Sequence, residues 1–144
     1  MIREARITDY EEIQCICELD LGYKCDKELV KLRLANIDHN RECVFVADEG
    51  NKVTGFIHVE RYDLLYSPGM ANVLGLAVKR EYRRQGIGKE LLSEAEEWAK
   101  SKRIAMMRLN SGTARKEAHE FYRRQGYSDE KSQLRFMKNL SLSD

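Results

Sequence analysis

Proline is nearly absent from this chain, one in 144 residues, and the nine glycines are thinly spread. Neither a low-complexity linker nor a domain boundary is marked, so the sequence predicts one continuous domain over residues 1–144. No apolar run approaches the roughly 20 residues of a membrane span, and the opening stretch MIREARITDYEE is charged, unlike a signal peptide. A cytoplasmic protein with no membrane partner is expected. A charge excess of either sign is also missing: Lys+Arg 25 against Asp+Glu 24 leaves a formal net charge of +1. Nothing global attracts nucleic acid, so any anion site must be local. The four cysteines, Cys15, Cys17, Cys25 and Cys43, show no CxxC spacing, and their one neighbouring histidine, His39, stands alone. They read as reduced thiols rather than as a disulfide framework or a metal site.

What is present is a regular alternation of short apolar elements. MIREAR reads as a first strand, with Thr8 or Asp9 capping a helix through about Leu19 whose Ile13, Ile16 and Cys17 share a face. DKELVKLRLANI carries Leu29, Leu32, Leu34 and Ile37 at near-helical spacing. ECVFVADEGNKVTGFIHVERY has the pattern of a hairpin, two apolar and β-branched runs around turn residues 48–51. MANVLGLAV reads as a buried central strand whose glycine marks a bulge. In IGKELLSEAEEWAKSKR, Ile87, Leu91, Ala95, Trp98 and Ala99 form one helical stripe, and cations close the C-terminus. Strand IAMMRLN, helix ARKEAHEFYRRQ and strand SQLRFMK follow, with a further short strand around Tyr127. The order βααβββαβαβ predicts an α/β (α+β) fold: a single mixed, mostly antiparallel sheet of six to seven strands flanked by about four helices.

The pentapeptide YRRQG occurs twice, at residues 82–86 and 122–126. Its flanks share nothing else, so it is not a repeat. Gly126 follows a helix, where a left-handed glycine ends the element. Gly86 and Gly88 instead open the long helix, and Lys79, Arg80, Arg83, Arg84 and Lys89 surround them with Glu81 as the one acid. Free backbone N–H groups and the positive end of a helix suit a pyrophosphate; a solvated basic turn with glycines kept for packing is the alternative. GIGKEL lacks the spacing and hydroxyl of a Walker loop, and Leu91 stands where a dinucleotide fingerprint needs glycine.

The stretch Arg83-Arg84-Gln85-Gly86-Ile87-Gly88 resembles motif A, [Q/R]xxGxG/A, of the GNAT superfamily of acyl-CoA-dependent N-acyltransferases. IREARITDYEEI is similar to that family's first strand and helix, LGLAVKREYRRQGIGKELL to its central strand, loop and helix, and AHEFYRRQGY to its closing motif. The resemblance implies acetyl-CoA as co-substrate and no metal. It places the pantetheine arm along the main chain of Leu76, Ala77 and Val78, and the pyrophosphate on the N–H groups of Arg84, Gln85, Gly86, Ile87, Gly88 and Lys89, with Arg83 beside them. It gives Tyr122 the role of general acid toward the departing thiolate. Arg115 stands where many relatives have asparagine, and is expected either to contact the cofactor or to cap its helix.

Relatives often draw a general base from the central strand, but ANVLGLAV offers Asn72 and Leu74 instead of a carboxylate. An amine of pKa ~10.4 pays about 4.6 kcal/mol to be deprotonated at pH 7. Glu60, His58, Asp63 and His119 are the candidate bases, and Asn72 is a candidate to hold a relaying water. Positioning two reactants contributes ~7–11 kcal/mol, more than one base supplies, so the reading does not depend on a single carboxylate. The function implied is direct transfer of acetyl from acetyl-CoA to a primary amine of a small molecule or peptide, in a ternary complex. The alternative is a non-catalytic acyl-CoA sensor of the same fold. Glu18, Asp20, Asp26, Asp63, Tyr23, Tyr62 and Tyr66 either form an acidic, aromatic mouth for a cationic amine such as a polyamine, an aminoglycoside-like compound or a peptide amine, or are equally ordinary surface. Monomer and homodimer are both compatible with the sequence.

Overall fold

A computed structural model of the chain describes residues 1–142. The chain divides into two compact units, Met1–Asn110 and a second that begins at Ser111. The first unit contains strands β1 (Ile2–Glu4), β2 (Glu42–Asp48), β3 (Val53–Tyr62), β4 (Met70–Val78) and β5 (Met107–Leu109), and helices α1 (Tyr10–Asp20), α2 (Lys27–Ala35) and α3 (Ile87–Ser101). The second contains α4 (Lys116–Arg124).

The sheet runs in sequence order, β1-β2-β3-β4-β5, with three antiparallel pairs and one parallel pair, β4 with β5. Among the described residues it has five strands rather than six or seven. SQLRFMK forms no strand, and neither does the region of Tyr127. Leu134, Phe136 and Met137 are largely exposed, so an alternating pattern alone does not make a strand; a partner edge must supply the hydrogen bonds.

Successive strand residues face opposite sides, and the sheet uses both. Ile13 and Ile16 of α1 pack with Val44, Val46, Phe56 and Ala77, joined at the edge by Val30 and Leu34 of α2. On the other side α3 buries Ile87, Leu91, Leu92, Ala95 and Ala99. A side chain at Gly55 would meet Ala77 O at 2.9 Å and the Leu91 side chain at 3.2 Å, so glycine there lets α3 sit close on the sheet. Among the described residues no helix is long and apolar enough to cross a membrane.

Asp9 does not cap α1 with its side chain; it is buried and tied to β1 instead. Arg3 donates to both Asp9 oxygens at 2.9 and 3.0 Å and to Asp48 at 2.9 Å, and the Arg6 N–H donates to Asp9 at 2.7 Å. Burial opposes the Asp9 charge, but the Arg3 and Arg6 hydrogen bonds outweigh it and hold its carboxyl below the ordinary value. Such a group stabilises the fold above its unfolded pKa of about 3.9 and loses that contribution as pH falls through its lower folded value. Asp9→Asn is expected to cost about 3 kcal/mol at pH 7, because it leaves Arg3 short of a buried partner. The gap to wild type should narrow in urea melts below about pH 4, where acid protonates Asp9 itself. A gap that stays constant to pH 2 would mean that Asp9 acts through shape alone.

Candidate active site

Chain order brings the site's first half together at β4. β5 pairs with β4 only at Ala71, Asn72 and Val73; beyond them no strand covers that edge of β4 among the described residues. Leu74 is the extra residue of a bulge, since His58 pairs with Gly75 and Val59 with Val73, and the glycine-marked bulge expected from the sequence is where the strand departs from β5. The Lys79 N–H donates to Thr54 O at 2.8 Å. By antiparallel alternation Ala77 then turns its main-chain groups toward β3, and Leu76 and Val78 present theirs on the open edge. The Val78 carbonyl there accepts from Arg83 Nε at 3.2 Å.

A turn of 3-10 helix, Arg80–Tyr82, leads from β4 into the first YRRQG. Arg84 and Gly86 have φ of 64° and 82°, the left-handed region, so the chain turns sharply before α3. Gly86 takes that conformation without cost, and a Cβ on it would meet nothing within 4 Å. The helix has no side-chain cap, and the N–H groups of residues 84–89 have no hydrogen-bond acceptor among the described residues. That is a row of free donors at the positive end of a 15-residue helix.

The cations around it divide. Asp20 of α1 accepts from the Arg80 N–H at 3.2 Å and from Arg83 Nη2 at 3.3 Å, and Lys79 lies 3.9 Å from Glu12. These contacts hold the turn against α1. The side chains of Arg80, Arg84 and Lys89 make no ion pair among the described residues, which leaves net positive charge beside the free donors.

The second half lies on the α1/α2 face at the other end of β4. Phe56, His58, Glu60 and Tyr62 alternate along that face of β3. Asn72 lies opposite Glu60, and Arg108 of β5 lies beside Asn72. Asn72 Nδ2 donates to Glu60 at 2.9 Å, and Arg108 Nη1 donates to Asn72 Oδ1 at 2.7 Å. Arg108 also donates to Asn110 at 3.2 Å and stacks over the Tyr62 ring at 4.4 Å. The two residues singled out separately in the sequence as possible relay and base are therefore one hydrogen-bonded pair. Arg108, their third member, was missed: an arginine in a short strand carries no motif, and only register puts it next to Asn72.

Beyond Glu60 on the same face, His58 Nε2 donates to Glu42 at 2.7 Å. Both line a concavity of about 430 Å³ closed by Arg33, Asn36 and Ile37 at the end of α2. The acidic mouth expected from the sequence does not assemble as such. Asp20 holds the basic turn, Asp26 caps α2 through the Glu28 N–H at 3.1 Å, Glu18 accepts from Gln14, and Asp63 sits 3.8 Å from Arg61. Tyr23 and Tyr66 are exposed.

In the second unit, α4 ends at the second YRRQG as expected. Gly126 has φ 93°, and the N–H groups of Gly126 and Tyr127 bond back to Arg123 O and Tyr122 O, both at 3.0 Å. Tyr122 is half-buried between edge-on contacts with Phe121 at 5.3 Å and Tyr127 at 6.2 Å. Burial pushes its phenol above the ordinary value, and the charge of Arg115 pulls it partly back. Arg115 occupies the N-cap position without a side-chain cap bond. His119 Nε2 donates to Gly112 O at 2.8 Å and so braces the start of α4.

All four cysteines are free thiols, and burial pushes Cys17 and Cys43 up to about 11 and about 12. Among the described residues no group of three His, Cys, Asp or Glu is placed to hold a metal ion.

Comparison with known proteins gives this arrangement its context. The model of the acetyltransferase (GNAT) family matches residues 2–127. An uncharacterised N-acetyltransferase of Chlorobaculum tepidum is 30% identical over 131 residues, 89% of this chain and 75% of that protein. The aminoalkylphosphonate N-acetyltransferase of Salmonella typhimurium is 30% identical over 145 aligned positions, 96% of this chain and 90% of that protein. The crystal structure of an aminoglycoside acetyltransferase from an uncultured soil metagenomic sample superposes with a TM-score of 0.81 at 26% identity, covering 98% of this chain and 96% of that one. With the uncapped helix, the open strand edge and this similarity along nearly its whole length, the chain belongs to the acetyltransferase (GNAT) family and is an acyl-CoA-dependent acetyltransferase.

Proposed function

We propose that the protein transfers an acetyl group from acetyl-CoA to the primary amine of a small molecule or peptide by direct attack in a ternary complex. The two compact units are read as parts of one domain over residues 1–144, because the family model runs across their boundary. The free thiols fit a cytoplasmic protein.

The observation that carries the reading is the continuity of two open surfaces, the β4 edge at residues 74–78 and the unpaired N–H groups at 84–89. An extended pantetheine arm pairs with such an edge through the main-chain groups of Leu76 and Val78 as an added strand would, while Ala77 between them is turned toward β3. A pyrophosphate takes the N–H groups of Arg84, Gln85, Gly86, Ile87, Gly88 and Lys89, with the unpaired charges of Arg84 and Lys89 nearby. Acetyl-CoA, when bound, supplies the activated acetyl thioester. The Leu76 N–H, on the open edge, can polarise its carbonyl.

Glu60 and Asn72 serve the amine. Asn72 is fixed by Arg108 on one side and Glu60 on the other, and its remaining lone pair and N–H can hold a water through which the ammonium proton reaches Glu60. Tyr122, kept protonated by burial, supplies a proton to the departing thiolate, and the charge of Arg115 partly offsets that upward shift. Thermal melts with acetyl-CoA, and with NAD and ATP as controls, test the cofactor half. At about 100 times Kd a ligand stabilises by about 2.7 kcal/mol, a rise of several degrees in Tm. A shift with acetyl-CoA alone is the expected result; equal shifts with ATP would reduce the turn to a general anion site.

A further inference from the structure

We infer that the acceptor is a zwitterion: its amine is received at Glu60, and an acidic group on the same molecule, phosphonate or carboxylate, is received by Arg108. This rests on the reading that the α1/α2 face of β3 and β4 takes the amine. The argument starts from how Arg108 is held. Its guanidinium is partly buried, yet its partners are all neutral: the carboxamide oxygens of Asn72 at 2.7 Å and Asn110 at 3.2 Å, and the Tyr62 ring at 4.4 Å. Among the described residues it forms no ion pair, whereas Arg3, Arg83 and Arg123 each lie against a carboxylate.

Three contacts that orient this half-exposed guanidinium without neutralising it leave its remaining N–H donors available in a fixed plane. That is the form in which arginine recognises planar or tetrahedral oxyanions. The carboxylate of Glu60 lies on the far side of the same Asn72 carboxamide, at 2.9 Å from Nδ2. Positive and negative side chains are thus one carboxamide apart on one face, a pattern matched by a small molecule whose ammonium and acid group are separated by a short carbon chain. A polycationic acceptor would meet Arg108 with like charge and gain from Glu60 only.

The test compares four short amines with acetyl-CoA: aminoethylphosphonate, β-alanine, propylamine and propane diamine. CoA release is measured for wild type, Arg108→Met and Arg108→Lys. Wild type should favour one or both acidic acceptors over propylamine by ~10–100-fold in kcat/KM, the worth of charge-assisted hydrogen bonds. The preference should vanish in Arg108→Met and return in part in Arg108→Lys. Phosphonate ahead of β-alanine identifies a tetrahedral oxyanion, and the reverse order a carboxylate. If Arg108→Met lowers the rates of acidic and neutral amines by the same factor, Arg108 only orients Asn72 and the proposal falls. It falls also if the diamine is the best acceptor. Binding of aminoethylphosphonate and β-alanine to the CoA-loaded protein is measured by calorimetry in parallel. Should no amine release CoA, the acceptor reading itself fails. The anchor is still decided: at least tenfold weaker binding in Arg108→Met supports it, and equal binding overturns it.

Discussion

Tyr122→Phe is expected to lower kcat by ~10²-fold or more while leaving the Kd for acetyl-CoA within about twofold. Phenylalanine preserves the ring that packs edge-on against Phe121 and Tyr127, so the change removes a hydroxyl and little else. Burial raises the phenol above its ordinary value near 10, which keeps it protonated throughout the range in which the enzyme can be assayed. The loss should therefore be the same at every pH from neutrality to about 9, since the phenol stays protonated and the thioester sulfur has no proton of its own to lose. Single-turnover measurement of CoA release over pH reads both the loss and its constancy. An unchanged kcat with an unchanged melt would reduce Tyr122 to a packed ring.

The second large effect is expected at Glu60. Glu60→Gln keeps an oxygen that can accept from Asn72 Nδ2 but removes the charge proposed to take the ammonium proton. A loss of ~10²-fold in kcat/KM at pH 7 is expected, and it should shrink as pH approaches the pKa of the amine, ~10.4, where the acceptor arrives already neutral. Asn72→Ala should show the same pH trend. Because the two side chains share one hydrogen bond, the double variant should lose little more than the worse of the two singles. If Glu60→Gln leaves the pH profile intact, the proton goes elsewhere. The His58–Glu42 pair, on the same face and lining the adjacent concavity, is then the group to replace next.

How much of this was legible beforehand depends on whether the signal was local. The hairpin at 42–62, the central strand with its bulge and α3 with its buried stripe could each be read from apolar period and turn chemistry within a single segment. So could the different work of the two YRRQG copies, since a glycine before a helix and a glycine after one differ in what precedes and follows them. SQLRFMK shows the limit. It has the alternation of a strand, but whether such a run becomes one depends on an edge elsewhere in the chain. The Glu60, Asn72 and Arg108 trio shows the same limit from the other side. Its members are separated by 12 and 36 residues, and nothing local marks Arg108.

The sequence by itself determined the element order as far as α4, the basic turn before α3 and, through motif resemblance, the family. These are properties of contiguous residues, where backbone preference and apolar spacing act over one or two turns. Only the tertiary structure decided that Asn72 and Glu60 are hydrogen-bonded to each other, that Asp20 belongs to the loop rather than to an acidic mouth, and that Arg108 stands without a counter-ion among the described residues. Each follows from strand register or from the packing of α1 on its neighbours. A register shift of one residue reverses which face every side chain occupies, and no single segment carries that information.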